Sequence, residues 1–191
     1  MKIVFGGAFN PVTNAHIEVY KYVISKMEAD TFIFLPVSNA YTKSELVSNH
    51  HRKNMLELAT KKYDSISICD LELEDSDYLG TYQSLIRLSD KYNCDIAFVV
   101  GADNLLMMRK WINIEGILSE FKIIVLGRNG IDINKVIKQD IILKKHINSF
   151  IIYKDFKLDI SSTNFRETFN KELVNSEVFD YIVKNKLYRG E

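Results

Sequence analysis

Lys2-Ile3-Val4-Phe5-Gly6-Gly7-Ala8-Phe9-Asn10-Pro11-Val12-Thr13-Asn14-Ala15-His16 is the stretch that decides the fold. A short apolar run breaks into a glycine pair, and an amphipathic stretch begins a few residues later. Over residues 16–28, Ile17, Tyr20, Val23, Ile24 and Met27 recur at three-and-four spacing and form one apolar stripe. The segment therefore reads as strand, turn, helix. Two adjacent glycines allow the backbone to turn sharply and to approach a ligand with no Cβ in the way. Thr13 and His16 stand three residues apart at the helix entry, where exposed N–H groups and the helix dipole favour a phosphate. There His16 can donate a ring N–H to a phosphoryl oxygen, and Thr13 its hydroxyl. The same segment fits equally well a plain strand-turn-helix with a capping Thr or Asn and a surface His.

Outward from this turn, apolar runs alternate with amphipathic ones. Residues 3–5, 31–36, 65–69, 96–100, 122–126 and 150–153 are short, rich in Val, Ile and Phe, and nearly continuous in hydrophobicity. Such runs suit strands covered on both faces. Helical patterns fill 16–28, 52–63, 82–92, 105–109, 115–121 and 178–185. Strand-helix alternation implies a parallel sheet with right-handed crossovers. The expected fold class is α/β, a Rossmann-like doubly wound parallel sheet, with ligands above the carboxyl ends of the strands. No internal repeat, low-complexity tract or linker interrupts the chain, so residues 1–191 read as one domain.

Composition excludes several classes. The 47% apolar share, with ten Tyr and eleven Phe, is enough for a full core and rules out intrinsic disorder. Twenty-five basic side chains balance 25 acidic ones, which argues against a protein that coats nucleic acid by bulk charge. No apolar run reaches the roughly 18 residues that a membrane span needs, and none resembles a signal peptide. Cys69 and Cys94, without CxxC spacing, look like reduced thiols of a cytoplasmic protein. Assembly into a homo-oligomer is compatible with all of this.

A second candidate constellation lies far from the first, at Ile160-Ser161-Ser162-Thr163-Asn164-Phe165-Arg166-Glu167. Three hydroxylic residues and an Asn open a predicted helix, and Arg166 falls on its first turn. Hydroxyls, free N–H groups and a guanidinium form an anion cradle, although a generic N-cap has the same composition. Two cradles in one small domain suggest a triphosphate gripped from both sides. Neither a GxGxxG nor a GxxxxGK[ST] pattern is present, so the dinucleotide fingerprint and the P-loop are excluded.

Gly6-Gly7-x-Phe9-x-Pro11-x-Thr13-x-x-His16, paired with Ile160-Ser161-Ser162-Thr163-x-x-Arg166, resembles the nucleotidylyltransferase superfamily with its HxGH (or TxGH) and ISSTxxR signatures. Within it, the chain resembles the bacterial nicotinate-nucleotide adenylyltransferases. Lys43, Arg52 and Met55, then Gly101-Ala102-Asp103, Trp111 and Arg128, match in order along nearly the whole chain. Three positions depart from the family's pattern. Asn10 stands where Asp is usual, Ala15 replaces Gly, and Leu79-Gly80-Thr81 replaces Ser-Tyr-Thr in a segment that helps cradle the pyridine ring.

The resemblance implies attack of a mononucleotide 5′-phosphate on the α-phosphorus of ATP, with release of pyrophosphate. A phosphate nucleophile is already ionised at neutral pH and needs no base, so catalysis is positioning and charge stabilisation. It implies catalytic roles for His16, Thr13 and Arg166, and ATP contacts for Gly6, Gly7, Phe9, Gly101, Asp103, Ser161 and Ser162. Lys43, Arg52, Thr81, Trp111 and Arg128 would serve the acceptor. Mg²⁺ would arrive with the nucleotide, since no His/Cys ligand cluster is present and no protein metal site is expected.

Several of these residues have structural readings too. Asp103 suits a helix N-cap, Trp111 a core position, Arg52 a solvated helix face, Lys43 a mobile loop and Arg128 a plain turn. The acidic run from Asp70 to Asp77 reads as solvated, and His50 with His51 as no metal site. Two rival functions remain at this stage. One is the same chemistry on nicotinamide mononucleotide or phosphopantetheine, and the other is a non-catalytic ATP-binding module.

Overall fold

Alternate residues of each strand go to opposite faces of one sheet, and both faces are covered. Ile3, Phe32, Phe34, Ala97, Val99, Ile124 and Leu126 point one way. Their chain neighbours Val4, Ile33, Leu35, Phe98, Val100, Ile123 and Val125 point the other. Period-two alternation with no polar face is what makes these runs read as continuously apolar in sequence.

The computed structural model describes residues 1–41, 46–156 and 161–188. Six strands, β1 (Lys2–Gly7), β2 (Thr31–Pro36), β3 (Ile66–Ile68), β4 (Ile96–Gly101), β5 (Lys122–Leu126) and β6 (Phe150–Tyr153), pair in the order β3-β2-β1-β4-β5-β6. Every pairing is parallel. The chain order therefore reverses between β1 and β4, where Phe5 lies opposite Val99. In an open α/β sheet that reversal leaves a crevice at the carboxyl edge of the strands, the usual place for a ligand. The expected fold class is the one observed.

The helices are α1 (Asn14–Lys26), α2 (Asn49–Thr60), α3 (Thr81–Tyr92), α4 (Ala102–Met108), α5 (Ile114–Glu120), α6 (Ile133–Gln139), α7 (Ile141–Lys145), α8 (Ser162–Thr168) and α9 (Ser176–Lys184). On the first face, Val19 and Val23 of α1, Met55 and Leu56 of α2, Phe165 of α8 and Val178 and Ile182 of α9 are buried together. On the second, Leu85 and Leu88 of α3 pack with Leu105 and Met108 of α4 and Ile117 of α5. Both α6 and α7 lie in a stretch read without periodicity. Each is short and is started by an aspartate, with Asp132 accepting from the Lys135 N–H and Asp140 from those of Ile142 and Leu143. No helix among the described residues is long and apolar enough to cross a membrane.

Candidate active site

A cleft of about 1120 Å³ runs along the carboxyl edge of the sheet from one face to the other. Its floor is the end of β1, with Gly6 and Gly7, and Gly101 at the end of β4. The glycines serve close approach here. Gly6 and Gly7 do not adopt positive φ, and the left-handed conformation of the turn falls on Phe9 instead, at φ 46°. A Cβ on Gly7 would stand 3.1 Å from the Phe9 ring, and one on Gly101 would stand 2.5 Å from the Asp103 carboxylate.

His16 enters the cleft from the first turn of α1, half-buried, with its ring edge-on to Phe9 at 5.1 Å. Its Nδ1 accepts the Thr13 backbone N–H at 2.9 Å and lies 2.9 Å from Thr13 Oγ1. A backbone N–H can only donate, so Nδ1 carries no proton and the neutral ring is assigned an Nε2–H. Burial, reinforced by the Arg128 charge, pushes its pKa down to about 4. The result is a neutral imidazole with a fixed tautomer.

Thr13 and Phe9 stand behind this histidine, each 2% exposed and neither lining the cleft. Thr13 borders a separate cavity of about 260 Å³ on the far side of the helix start. Its hydroxyl, expected at a phosphoryl oxygen, lies 2.9 Å from His16 Nδ1 on the side of the ring away from the cleft lining.

The second motif docks directly on the first. Ser162 Oγ donates to the Pro11 carbonyl at 2.8 Å, and Arg166 Nη1 donates to the Asn10 carbonyl at 2.7 Å. Ser161 caps α8 by accepting the Asn164 N–H at 3.1 Å, and Arg166 Nη2 reaches Thr163 Oγ1 at 3.2 Å. These bonds use two of the five guanidinium N–H donors. Ser161, Ser162, Thr163 and Arg166 all line the cleft. Ile160 lies outside the described residues.

Arg128 lines the cleft from the turn after β5, with Nη1 3.7 Å from the Asp103 carboxylate. Asp103 is in the first turn of α4, whose N-cap is Gly101. It stands beside the cleft, while its neighbour Asn104 lines it. Toward the other sheet face the lining is Thr81, Tyr78, Phe98 and Trp111, the indole edge-on to Phe98 at 6.2 Å. The departure at Gly80 has a local reason. Its φ is +89°, and a Cβ there would meet the Ile112 side chain at 3.1 Å, so Ile112 occupies the space beside this turn.

Arg52 is elsewhere. Its side chain is 0% exposed and does not line the cleft. Nε donates to the Val47 carbonyl, Nη1 to that of Ala8, and Nη2 to the Val37 carbonyl and the Asn39 and Asn49 side-chain oxygens. Both readings of Arg52, as an acceptor ligand and as a solvated helix residue, are corrected. A buried guanidinium persists because carbonyl oxygens surround it. Lys43 lies outside the described residues.

Tyr188 and Asn104 line the cleft without having been singled out in sequence, and so does Glu72, which reads in sequence only as part of a solvated acidic run. Tyr188 donates to Asn10 Oδ1 at 2.9 Å, tying the end of the described chain to the first turn, and burial raises its pKa. The acidic run is not uniformly solvated. Glu72 is buried, Asp75 pairs with Arg87 at 2.7 Å, and Asp70 pairs with Lys53. His51 Nδ1 lies 2.9 Å from the Tyr181 hydroxyl, and His50 Nε2 lies 3.0 Å from the Asn54 amide. Among the described residues, no group of three or more His, Cys, Asp or Glu side chains is arranged to hold a metal ion.

Residues 4–168 match the family model described as Cytidylyltransferase-like. A probable nicotinate-nucleotide adenylyltransferase from Clostridium acetobutylicum is 36% identical over 98% of both chains. Its counterpart from Acholeplasma laidlawii is 33% identical over 98% of this chain and 97% of its own. Among solved structures, Plasmodium falciparum nicotinic acid mononucleotide adenylyltransferase complexed with NaAD superposes with a TM-score of 0.79 at 22% identity. That superposition covers 98% of this chain and 96% of the other, and it carries the fold.

Proposed function

The chain belongs to the cytidylyltransferase-like family, and from that premise we propose that it transfers the adenylyl group of ATP to nicotinate mononucleotide, giving nicotinate adenine dinucleotide and pyrophosphate. The relatives that it matches along nearly their whole length carry the name of this activity. One observation supports the chemistry most strongly. The Ser162 hydroxyl donates to the Pro11 carbonyl and the Arg166 guanidinium to the Asn10 carbonyl, so the two motifs share one wall of the cleft with His16.

In this reading the His16 Nε2–H donates to an α-phosphoryl oxygen, where negative charge grows during in-line displacement. A neutral donor of fixed tautomer suits that task, since no proton has to be relocated during the reaction. Thr13 acts through His16 as a positioning residue. Ser161, Ser162, Thr163 and Arg166 hold the β- and γ-phosphates, and Gly6, Gly7 and Gly101 let the nucleotide approach the sheet edge. Arg128, anchored by Asp103, adds positive charge near the phosphates.

Trp111 stacks on the pyridine ring, with Thr81 beside it. A divalent ion, Mg²⁺ in our reading, would be held through the triphosphate beside Ser161, Ser162, Thr163 and Arg166 and would supply neutralisation of part of its charge. The phosphate wall offers hydroxyls and a guanidinium with no carboxylate cage, which suits an ion that arrives already ligated by phosphate. Cys69 and Cys94 are both free thiols, which supports a cytoplasmic address.

The test is pyrophosphate release with ATP, Mg²⁺ and a panel of acceptors. Release is expected with nicotinate mononucleotide and not with phosphopantetheine. No release with any pyridine mononucleotide would overturn this function and leave the non-catalytic ATP-binding module standing.

A further inference from the structure

Tyr188 stands in the turn that follows α9 and lines the cleft with Asn10, Ser162 and Arg166. Its backbone has a φ of 62°, in the left-handed region that a bulky side chain rarely adopts. Such a conformation persists only where the surrounding structure holds it, and it points to a task for the side chain. The phenol donates to Asn10 Oδ1 at 2.9 Å, and its ring packs edge-on against Phe165 of α8 at 6.1 Å. Asn10 Oδ1 also accepts the Val47 N–H at 3.3 Å, and since a backbone N–H only donates, the orientation of the amide is fixed. The charges facing the phenol are the guanidinium groups of Arg166 and Arg52.

Asn10 therefore joins three distant parts of the chain. Its side-chain oxygen is held by Tyr188 and by Val47, just ahead of α2, while its own carbonyl accepts Arg166 Nη1 at 2.7 Å. Side chain and carbonyl belong to one residue that is only 4% exposed, so fixing the first limits where the second can go. Arg166 takes its direction from that carbonyl and from Thr163 Oγ1. We propose that Tyr188 is a positioning residue for the phosphate wall, acting through Asn10 to keep the carbonyl that aims the Arg166 guanidinium at the β- and γ-phosphates of ATP. The phenol has a single hydrogen and spends it on Asn10, so Tyr188 is not itself a phosphate donor. Burial raises its pKa, which keeps that hydrogen in place at neutral pH.

This inference rests on the proposed adenylyl transfer, and the experiment separates the two. Calorimetry gives the Kd of ATP with Mg²⁺, in the absence of acceptor, for the unaltered protein, Tyr188→Phe, Arg166→Lys and the double variant. Steady-state assays give the KM of nicotinate mononucleotide. Tyr188→Phe keeps the ring against Phe165 and removes the donor. It is expected to raise the ATP Kd about fivefold, the scale of one neutral hydrogen bond, while the acceptor KM changes by less than about twofold. Arg166→Lys keeps the charge and loses the fork, so in that background the Tyr188 substitution should change the Kd by less than about twofold. A merely structural role would lower the urea midpoint and leave the Kd unchanged, or weaken ATP by the same factor in both backgrounds. Either result overturns the proposal. Should Tyr188→Phe fail to fold, a ring-fluorinated tyrosine at position 188 decides. Its fluorine resonance is expected to shift on adding ATP and Mg²⁺, and a resonance that does not move overturns the proposal. ATP binding with the expected Kd changes, but without pyrophosphate release from any pyridine mononucleotide, overturns the functional reading and leaves the role of Tyr188 standing.

Discussion

The two ends of the cleft are built by different means. At the phosphate end the chain's own backbone does the bracing. The Ala8, Asn10 and Pro11 carbonyls of the first turn accept from Arg52, Arg166 and Ser162, and the Thr13 N–H fixes His16. At the acceptor end the walls are side chains, with Trp111 edge-on to Phe98, Ile112 filling the space beside Gly80, and Glu72 held by Ser84. The contrast fits the two tasks. A reacting phosphorus must be held to a fraction of an ångström, and main-chain groups on a sheet edge move little. Choosing among ring substituents needs only that one or two side chains differ.

The largest expected effect breaks the bracing from behind. Arg52→Met removes the donors from three backbone carbonyls in a fully buried place, and should lower stability by on the order of 3–5 kcal/mol, read as a fall in the urea midpoint. A variant of normal stability with a raised acceptor KM would return Arg52 to the ligand role that the sequence suggested. Next in size is His16→Ala, in which the fold survives and kcat falls by about 10²–10³. Near-normal turnover would remove His16 from the chemistry.

The same substitution carries a pH test. The folded pKa of His16 is near 4, below the ordinary 6.5, so between those values the unfolded chain binds more protons. Stability from this group is therefore complete above about pH 6.5 and is lost as pH falls toward 4. The urea midpoint of the unaltered protein should drop between pH 7 and pH 4.5 by more than that of His16→Ala. Equal drops would mean that His16 titrates normally.

Much of the phosphate end is legible in sequence because its parts are short and local. A strand, a glycine pair and a helix entry lie within 16 residues, and the second cradle within a single helical turn. What periodicity cannot show is which way a polar side chain turns once the chain folds. Arg52 lies on an amphipathic helix like many solvated arginines, and only the arrival of the Ala8, Val37 and Val47 carbonyls makes its place an interior one. Glu72 hides among five acids of similar spacing, and its burial depends on Ser84, 12 residues on. Tyr188 is 178 residues from Asn10 in sequence, and no local pattern links them. The helices α6 and α7 escaped because they bury only Ile133 and Ile137, and Leu143, too few positions for an apolar stripe to repeat.

A smaller effect probes the acceptor end. Trp111→Ala should raise the KM for the pyridine mononucleotide about tenfold, the scale of one aromatic stack, while the KM for ATP stays within twofold. Loss of ATP affinity in its place would put the adenine, not the pyridine, on this indole and reverse the two ends of the comparison.

The smallest expected effect isolates backbone from side chain at the phosphate end itself. Two groups of Thr13 converge on His16 Nδ1, the backbone N–H and Oγ1, each at 2.9 Å. Thr13→Val keeps the N–H and the β-branched shape and deletes the hydroxyl. If the backbone is what fixes the tautomer, the imidazole keeps its Nε2–H, and kcat falls only about threefold, within the range of one neutral hydrogen bond. The nitrogen chemical shifts of His16 should still report a protonated Nε2 at pH 7. A fall in kcat as deep as that of His16→Ala, with the ring proton moved to Nδ1, would mean that the hydroxyl governs the histidine. The phosphate end would then depend on side chains as much as the acceptor end does.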